Sequence, residues 1–288
     1  MNLQLLISGL ATGIVYGMIA MGMVLIFRSV GVMNFAQGDF LMLGGYLSYT
    51  FNRLFSWPII PSLAMAALLM GFVGVIFQRI SYWPLRSAQT RAIIVSAMGA
   101  SMALKEGARL TWGSIPVSTD RVISGNARIG TASIQLQYVA IVVISMFLMA
   151  LVFILLEKTF IGNVMQATAQ DQYTASLMGI PVVLSISLTF ALSAIITGIG
   201  GGLLAPLFFL NSTMGATAGA KAFAAIVIGG FGNVQGAIIG GLIVGLVEAF
   251  GGAYISTTYQ MVIIYLVLVA VLMIKPQGIF SGKIQEKV

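Results

Sequence analysis

Few side chains in this sequence are of the types that perform acid–base, nucleophilic or metal chemistry. The 288 residues include no cysteine and no histidine, which excludes thiol nucleophiles, Ser-His triads and the common zinc, haem and iron–sulfur sites. Acidic residues number only seven, and no two of them share an apolar motif that would suit an aspartyl-type enzyme. An enzyme embedded in a membrane would therefore lack a convincing catalytic set.

The chemistry that remains is that of isolated polar groups beside long apolar runs. Asn34, Gln37 and Asp39 lie together in the run GVMNFAQGDF, and Glu248 lies in a strongly apolar late segment. In a membrane such groups face the protein interior or a water-filled path, so these four residues are candidates for a translocation path. Two alternatives stay open: Asn34 caps the following helix, with Asp39 in its first turn, and Glu248 sits at a helix end near water.

A third carboxylate lies in a polar stretch, residues 160–180, between two apolar runs. Ala167, Asp171, Ala175 and Gly179 recur every four residues, and on a helix this spacing places them on one face. A face of small residues with one carboxylate would fit into a groove on a partner protein. The alternative is an amphipathic connector that rests at the lipid surface.

Composition shows which elements must position these groups. The chain is 59% hydrophobic and 7% charged, with a mean hydropathy of +1.04, whereas soluble domains carry about 25% charged residues. We therefore predict an all-α, polytopic membrane protein with a single transmembrane domain, 1–288. The net charge of +7 reports orientation in a membrane protein. No basic-aromatic stripe indicates a nucleic-acid partner.

The apolar runs predict about nine transmembrane helices, with eight or ten also possible. A spanning helix needs about 20 apolar residues. The clear runs are 3–27, 59–77, 92–110, 134–156, 181–205 and 259–274. Two regions are ambiguous: 34–50 is short and interrupted by glycine, and 216–250 is long enough for two short helices, 216–230 and 236–251, with a break at FGNVQG.

Lysine and arginine predict the orientation. Basic residues lie after the first span, at 79–91, at 158 and at 275–287. Such positions mark the cytoplasmic side of a membrane protein. This places 157–180 and 275–288 in the cytoplasm, and 111–133 and the N-terminus outside.

Glycine patterns predict close helix contacts. Gly9, Gly13 and Gly17 form a flat groove on the first helix, for packing within the chain or against another subunit. The glycines at 198–202, followed by Pro206, predict an interruption of the 181–210 helix, whose free carbonyls would line a translocation route or simply form a loose helix end.

Several longer motifs give the chain a family resemblance. They are GLATGIVYGMIAMGMVLIFRSVGVMNFAQGDFLMLGGY (9–46), AQDQYTASLMGI (169–180), the glycine-rich run 221–241 and KPQGIF (275–280). In this order, over almost the whole chain, they resemble the permease subunits of bacterial ABC importers for branched-chain amino acids. The family often has histidine where this chain has Gln37, which argues against an ionisable role at that position.

The resemblance implies a multi-subunit transporter in the bacterial cytoplasmic (inner) membrane, embedded in its lipid bilayer. Two similar but usually different permease subunits would form the pore, two cytoplasmic ATPase subunits would bind below, and an extracytoplasmic substrate-binding protein would deliver the ligand. The segment 163–180 would be the coupling helix that enters a cleft on the ATPase. The chain itself would be no enzyme and would hold no cofactor, because ATP is hydrolysed on the partner subunit.

Two alternatives remain at this stage. The first is an ion-coupled secondary transporter for a small neutral solute, which would use Asp39 and Glu248; the source of energy distinguishes it from the importer. The second changes only the substrate, to other neutral amino acids, urea or short amides. Whether the pore is a homodimer or a heterodimer is also open.

Overall fold

The computed structural model describes residues 2–129 and 132–280, and this part of the chain is mostly helical. The helices are α1 (Asn2–Val30), α2 (Gln37–Tyr49), α3 (Ile59–Phe77), α4 (Thr90–Trp112), α5 (Leu136–Lys158), α6 (Phe160–Gln170), α7 (Gln172–Leu177), α8 (Val182–Phe208), α9 (Met214–Gly229), α10 (Val234–Tyr254) and α11 (Gln260–Ile274). A short antiparallel hairpin, β1 (Asn126–Ile129) with β2 (Ala132–Gln135), precedes α5. The predicted all-α membrane fold is confirmed, and the hairpin is an addition to it.

Each predicted span has a helix in the described part of the chain. Five stretches are long and apolar enough to cross a membrane: α1, α3 with its extension to Leu85, α5, α8 and α10. Helices α9 and α11 are apolar but shorter. Helix α2 is lengthened by a π-helical turn at Thr50–Leu54, and α4 carries Lys105, Glu106 and Arg109. The two ambiguous regions therefore form α2, α9 and α10.

The contact between α1 and α10 depends on glycine. A Cβ atom added to Gly13 would lie 2.8 Å from the carbonyl oxygen of Gly241, and one added to Gly9 would lie 2.9 Å from the Cβ of Ala249. Gly17 faces Ile238 in the same contact, at 3.3 Å. Glycines spaced four residues apart thus let the two backbones approach to a distance that a larger side chain would prevent.

A second glycine contact joins α2 to α8 and corrects one prediction. Helix α8 runs without interruption through Gly198 and the glycines at 200–202, and Pro206 lies two residues before its end. The predicted break is therefore wrong. Gly198 packs against Gly44, and Gly201 packs against the carbonyl of Leu41. This tertiary packing outweighs the low intrinsic helix propensity of glycine.

Backbone hydrogen bonds made by the connecting segments identify the two ends of the helix bundle. At one end the amides of Ile279 and Phe280 donate to the carbonyls of Ile228 and Gly229, each at 2.9 Å. The loop after α4 lies at the other end, where Val117 and Leu210 form an isolated bridge. The distribution of basic residues predicts that the first end faces the cytoplasm. Residues 281–288, part of the predicted cytoplasmic segment 275–288, lie outside the described residues.

Candidate coupling segment and transport path

The polar stretch between α5 and α8 forms two helices, α6 and α7, that meet at Asp171. Asp171 has an extended backbone with φ −154°. Its carboxylate accepts hydrogen bonds from the backbone amides of Tyr173 at 2.9 Å and Thr174 at 3.3 Å, and from the Thr174 hydroxyl at 2.6 Å. Aspartate is favoured at such N-cap positions because it supplies an acceptor for free amides of the first turn. Asp171 therefore begins α7.

This break corrects the predicted arrangement of the coupling residues. Ala167 lies on α6, Ala175 on α7, and Gly179 after the end of α7, so the four residues do not share one helix face. Ala175 is only 4% exposed. Gly179 has φ +79° and ends α7 in a Schellman motif, in which the amide of Ile180 donates to the carbonyl of Ala175 at 3.0 Å. The predicted open face of small residues is therefore wrong.

The exposed surface of α7 carries large apolar side chains instead. Tyr173, Leu177 and Met178 are 73%, 69% and 79% exposed, and we call these three residues the α7 apolar patch. Exposed apolar patches on otherwise polar segments usually mark binding surfaces. The sequence could have revealed this patch: if a helix begins at residue 172, residues 173 and 177 lie on one face, with residue 178 next to 177.

Both helices are fixed to the membrane part of the chain. The side-chain amide of Gln172 donates a hydrogen bond to the carbonyl of Ser29, near the end of α1, at 2.8 Å. The Gln166 amide donates to the carbonyl of Leu156 on α5 at 2.6 Å, and the Thr159 hydroxyl caps α6 by accepting from the amide of Gly162 at 3.1 Å. A displacement of α7 would therefore be transmitted to α1 and α5.

One of the candidate path residues, Gln37, joins α2 to α8, and Asn34 lies in the turn before α2. Gln37 is fully buried, and its amide donates to the hydroxyls of Ser193 at 2.8 Å and Thr197 at 2.6 Å. Asn34 accepts from the amide of Ala36 at 3.1 Å, while Ala36 itself is the N-cap residue of α2. In this conformation Gln37 stabilises a helix contact and Asn34 stabilises the turn before α2, so the alternative that Asn34 caps α2 is wrong. The place of both residues on a transport path stays a prediction.

Asp39 is also buried, at 4% exposure. It lies in the first turn of α2 and accepts a hydrogen bond from the Ser101 hydroxyl of α4. A Cβ atom added to Gly215 at the start of α9 would lie 2.6 Å from its carboxylate. Asp39 therefore lies where α2, α4 and α9 meet.

Glu248 has a charged partner on a neighbouring helix. The ammonium group of Lys221 on α9 lies 2.6 Å from a Glu248 carboxylate oxygen, and the two side chains are 15% and 12% exposed. The same ammonium donates to the Tyr16 hydroxyl at 3.2 Å. Because α10 continues to Tyr254, Glu248 is not at a helix end, and that alternative is wrong. An intramembrane carboxylate with a basic partner is the expected arrangement for such a group.

A polytopic fold with few ionisable groups is typical of a transport subunit, and comparison with known proteins identifies the family. A family model described as branched-chain amino acid transport system / permease component matches residues 5–272. The chain belongs to this family. It is therefore a multi-pass protein of the inner membrane and a transport subunit, not an enzyme.

Individual relatives align along nearly the whole chain. The high-affinity branched-chain amino acid transport system permease protein LivH of Escherichia coli (strain K12) is 33% identical over 308 residues, which cover 99% of this chain and 97% of LivH. The corresponding protein BraD of Pseudomonas aeruginosa is 30% identical over 300 residues, with 99% and 98% coverage. Among solved structures, PsaBC from Streptococcus pneumoniae in complex with Fab aligns with a TM-score of 0.48 at 15% identity, covering 94% of this chain and 91% of that one.

Proposed function

We propose that this chain is the permease subunit of an ATP-driven importer that moves branched-chain or other hydrophobic amino acids into the cytoplasm. The observation that carries the proposal is the nearly full-length similarity to LivH and BraD, both named as branched-chain amino acid permeases. The chain would work as one transmembrane domain. It would pair with a second, homologous permease and receive substrate from a binding protein outside the membrane.

We infer that the α7 apolar patch is the surface on which an ATPase subunit docks. The full sequence contains no Gly-x4-Gly-Lys-Ser/Thr phosphate loop, so in an ATP-driven importer the ATP would be hydrolysed on another chain. The patch lies on the segment between α5 and α8, at the end that the basic residues assign to the cytoplasm. Its three side chains are largely exposed, and an apolar, mostly buried contact is what a stable docking interface needs at its centre.

The proposed mechanism is alternating access, driven through this contact. When ATP brings two ATPase subunits together, each would move the α7 segment docked on it. The hydrogen bond from Gln172 to Ser29 and the packing of α6 on α5 would carry the movement into α1 and α5. ATP shifts the populations of the transporter only as far as it binds one arrangement better than the other.

The structure also bears on the ion-coupled alternative. Of its two candidate carboxylates, Glu248 pairs with Lys221, whereas Asp39 accepts a hydrogen bond from the Ser101 hydroxyl. A carboxylate already neutralised by a lysine is poorly placed to bind and release a proton or sodium ion during each cycle. For Glu248, this favours ATP as the source of energy.

The test is a charge placed in the α7 apolar patch. Leu177→Asp should reduce the amount of ATPase that co-purifies with the permease by at least tenfold, because a carboxylate would be buried in the interface. Substrate-stimulated ATP hydrolysis in vesicles should fall by the same factor. Since Leu177 is 69% exposed, the chain itself should fold normally. The matched control is Ile123→Asp, which changes a 45% exposed residue at the opposite end. Normal ATPase binding and hydrolysis in Leu177→Asp would refute the docking assignment.

A further inference from the structure

A large cavity lies at the cytoplasmic end of the chain, away from the candidate path residues. Its volume is about 670 Å³, within the range of about 300–1,000 Å³ that is typical of small-molecule sites. It is bounded by the ends of α1 and α5, by α6, by Thr189 of α8, and by residues 231–235, which form the turn after α9 and the start of α10. Asn34, Gln37, Asp39 and Glu248 do not line it.

The lining combines two opposite charges with an apolar wall. Arg28 comes from α1 and Glu157 from α5. In the part of the chain that the structure describes, neither side chain belongs to one of the ion pairs. Leu25, Phe153 and Phe231 contribute apolar surface. A site with one guanidinium, one carboxylate and an apolar wall matches a molecule that carries a carboxylate, an ammonium group and a hydrocarbon side chain.

Other ligand classes fit this lining less well. An anionic lipid headgroup favours clusters of basic residues, and Glu157 would repel it. A purely hydrocarbon ligand would make no use of either charge and would displace water from around them, which is unfavourable. An aliphatic α-amino acid gives each charge a charge-assisted hydrogen bond, which is about twice as strong as a neutral one.

We propose that this cavity is a second amino-acid site, in which Arg28 binds the α-carboxylate and Glu157 the α-ammonium of a zwitterionic aliphatic amino acid. The inference rests on the proposed function for the class of ligand. The ligand could come from the transport path, as a molecule leaving for the cytoplasm, or from the cytoplasmic pool.

Occupancy of this cavity would affect coupling, because α6 forms one of its walls. Met165, Gln166, Ala169 and Gln170 of α6 line the cavity, and α6 leads directly to Asp171 and the α7 apolar patch. A ligand that binds this arrangement better than the others stabilises it. Leucine bound here should therefore slow the conformational cycle and lower the rate of ATP hydrolysis.

The experiment uses the assembled transporter in nanodiscs without binding protein, with L-leucine as the probe. Radiolabelled leucine should bind saturably and reduce ATP hydrolysis, and Arg28→Gln or Glu157→Gln should each raise the half-effective concentration at least tenfold. Both side chains are exposed, so these variants should remain folded. Lys158→Gln, which changes an adjacent charge that does not line the cavity, should stay within twofold of wild type.

Analogues test the assigned roles of the two charges. Leucinamide lacks the carboxylate and 4-methylpentanoate lacks the ammonium group, so both should bind more weakly than leucine to the wild type. Arg28→Gln should lose the preference for leucine over leucinamide, and Glu157→Gln the preference for leucine over 4-methylpentanoate. Equal binding of all three compounds to the wild type would overturn the proposal, as would a lipid that co-purifies in the cavity and is not displaced by leucine.

Vesicles with the ATPases facing outward distinguish the two sources of ligand. If leucine added only on the ATPase side lowers hydrolysis, the site is filled from the cytoplasmic pool; if only leucine delivered by binding protein from the lumen does so, it is filled from the path. No saturable effect from either side, together with normal delivery-dependent leucine transport, would overturn this inference alone. Absence of leucine transport with an intact ATPase would instead overturn the proposed function.

Discussion

The ion pair between Lys221 and Glu248 offers a sharp test of how this chain tolerates charge inside the membrane. The ammonium and carboxylate lie 2.6 Å apart, with side chains 15% and 12% exposed. Glu248→Gln keeps the volume of the side chain but removes its charge, and leaves the Lys221 ammonium with the Tyr16 hydroxyl at 3.2 Å. Lys221→Met instead leaves the Glu248 carboxylate without its charged partner.

The magnitudes follow from the cost of an unpaired buried charge. Removing one partner of a buried pair typically costs about 3–5 kcal/mol, whereas replacing both partners by uncharged residues is often neutral. We expect each single variant to lose about 3 kcal/mol of folding stability, near the lower end because both side chains keep some exposure. The double variant Lys221→Met/Glu248→Gln should lose only about 1 kcal/mol, which makes the two changes strongly non-additive.

The assay is thermal unfolding of the purified chain in detergent, monitored by size-exclusion chromatography. It compares the wild type, both single variants and the double variant. Leucine uptake by the reconstituted transporter is measured in parallel. The pair has a structural role if the double variant regains both stability and uptake. Additive destabilisation would refute the buried-pair reasoning, and a stable double variant without uptake would show that Glu248 or Lys221 takes part in transport.

Three further predictions concern packing, topology and α7. Gly13→Ala should lower the free energy of unfolding by about 1–3 kcal/mol, because the added Cβ would lie 2.8 Å from the Gly241 carbonyl oxygen. Gly99→Ala, whose added Cβ meets nothing within 4 Å, should raise it by about 0.5–1 kcal/mol. Equal melting temperatures of the two variants would contradict this reasoning. In this cysteine-free chain, an impermeant thiol reagent added outside should label a cysteine at Ser124 but not one at Arg86, and the reverse pattern would invert the topology. Ala175→Trp should speed proteolysis of α7, because residue 175 is buried within the chain; an unchanged cleavage rate would show that it is not.

The membrane helices could be predicted from the sequence because their apolar runs are long and uninterrupted. The break between α9 and α10 was also readable, since FGNVQG combines turn residues with a cap at Asn233. Glycine in α8 misled the sequence reasoning: its low helix propensity predicts a break, but the contact of Gly198 with Gly44 exists only in the folded chain.

The coupling segment could be located from the sequence but not oriented. A four-residue repeat assumes one continuous helix, and the N-cap preference of Asp171 ends that helix. The same rule, applied first, would have placed Gly179 at the end of a short α7 and Tyr173 and Leu177 on its surface. The choice between a helix interior and a cap depends on hydrogen bonds that a spacing rule does not include.

Contacts between distant helices were beyond sequence reasoning. Lys221 and Glu248 are joined by the packing of α9 against α10. Because the lysine side chain is long enough to reach several neighbours, the sequence alone does not identify its partner. The cavity lined by Arg28 and Glu157 is formed by five separate segments, so these two residues were visible in the sequence only as charges near helix ends.

The central claim is that this chain transports its substrate only as part of an ATP-driven assembly. The direct measurement is radiolabelled leucine accumulation in vesicles that contain this chain, its homologous permease partner, the ATPases and the binding protein. We predict accumulation that requires ATP hydrolysis and the binding protein, and that persists when ionophores abolish proton and sodium gradients. Accumulation by this chain alone, driven by an ion gradient without ATP, would contradict the account.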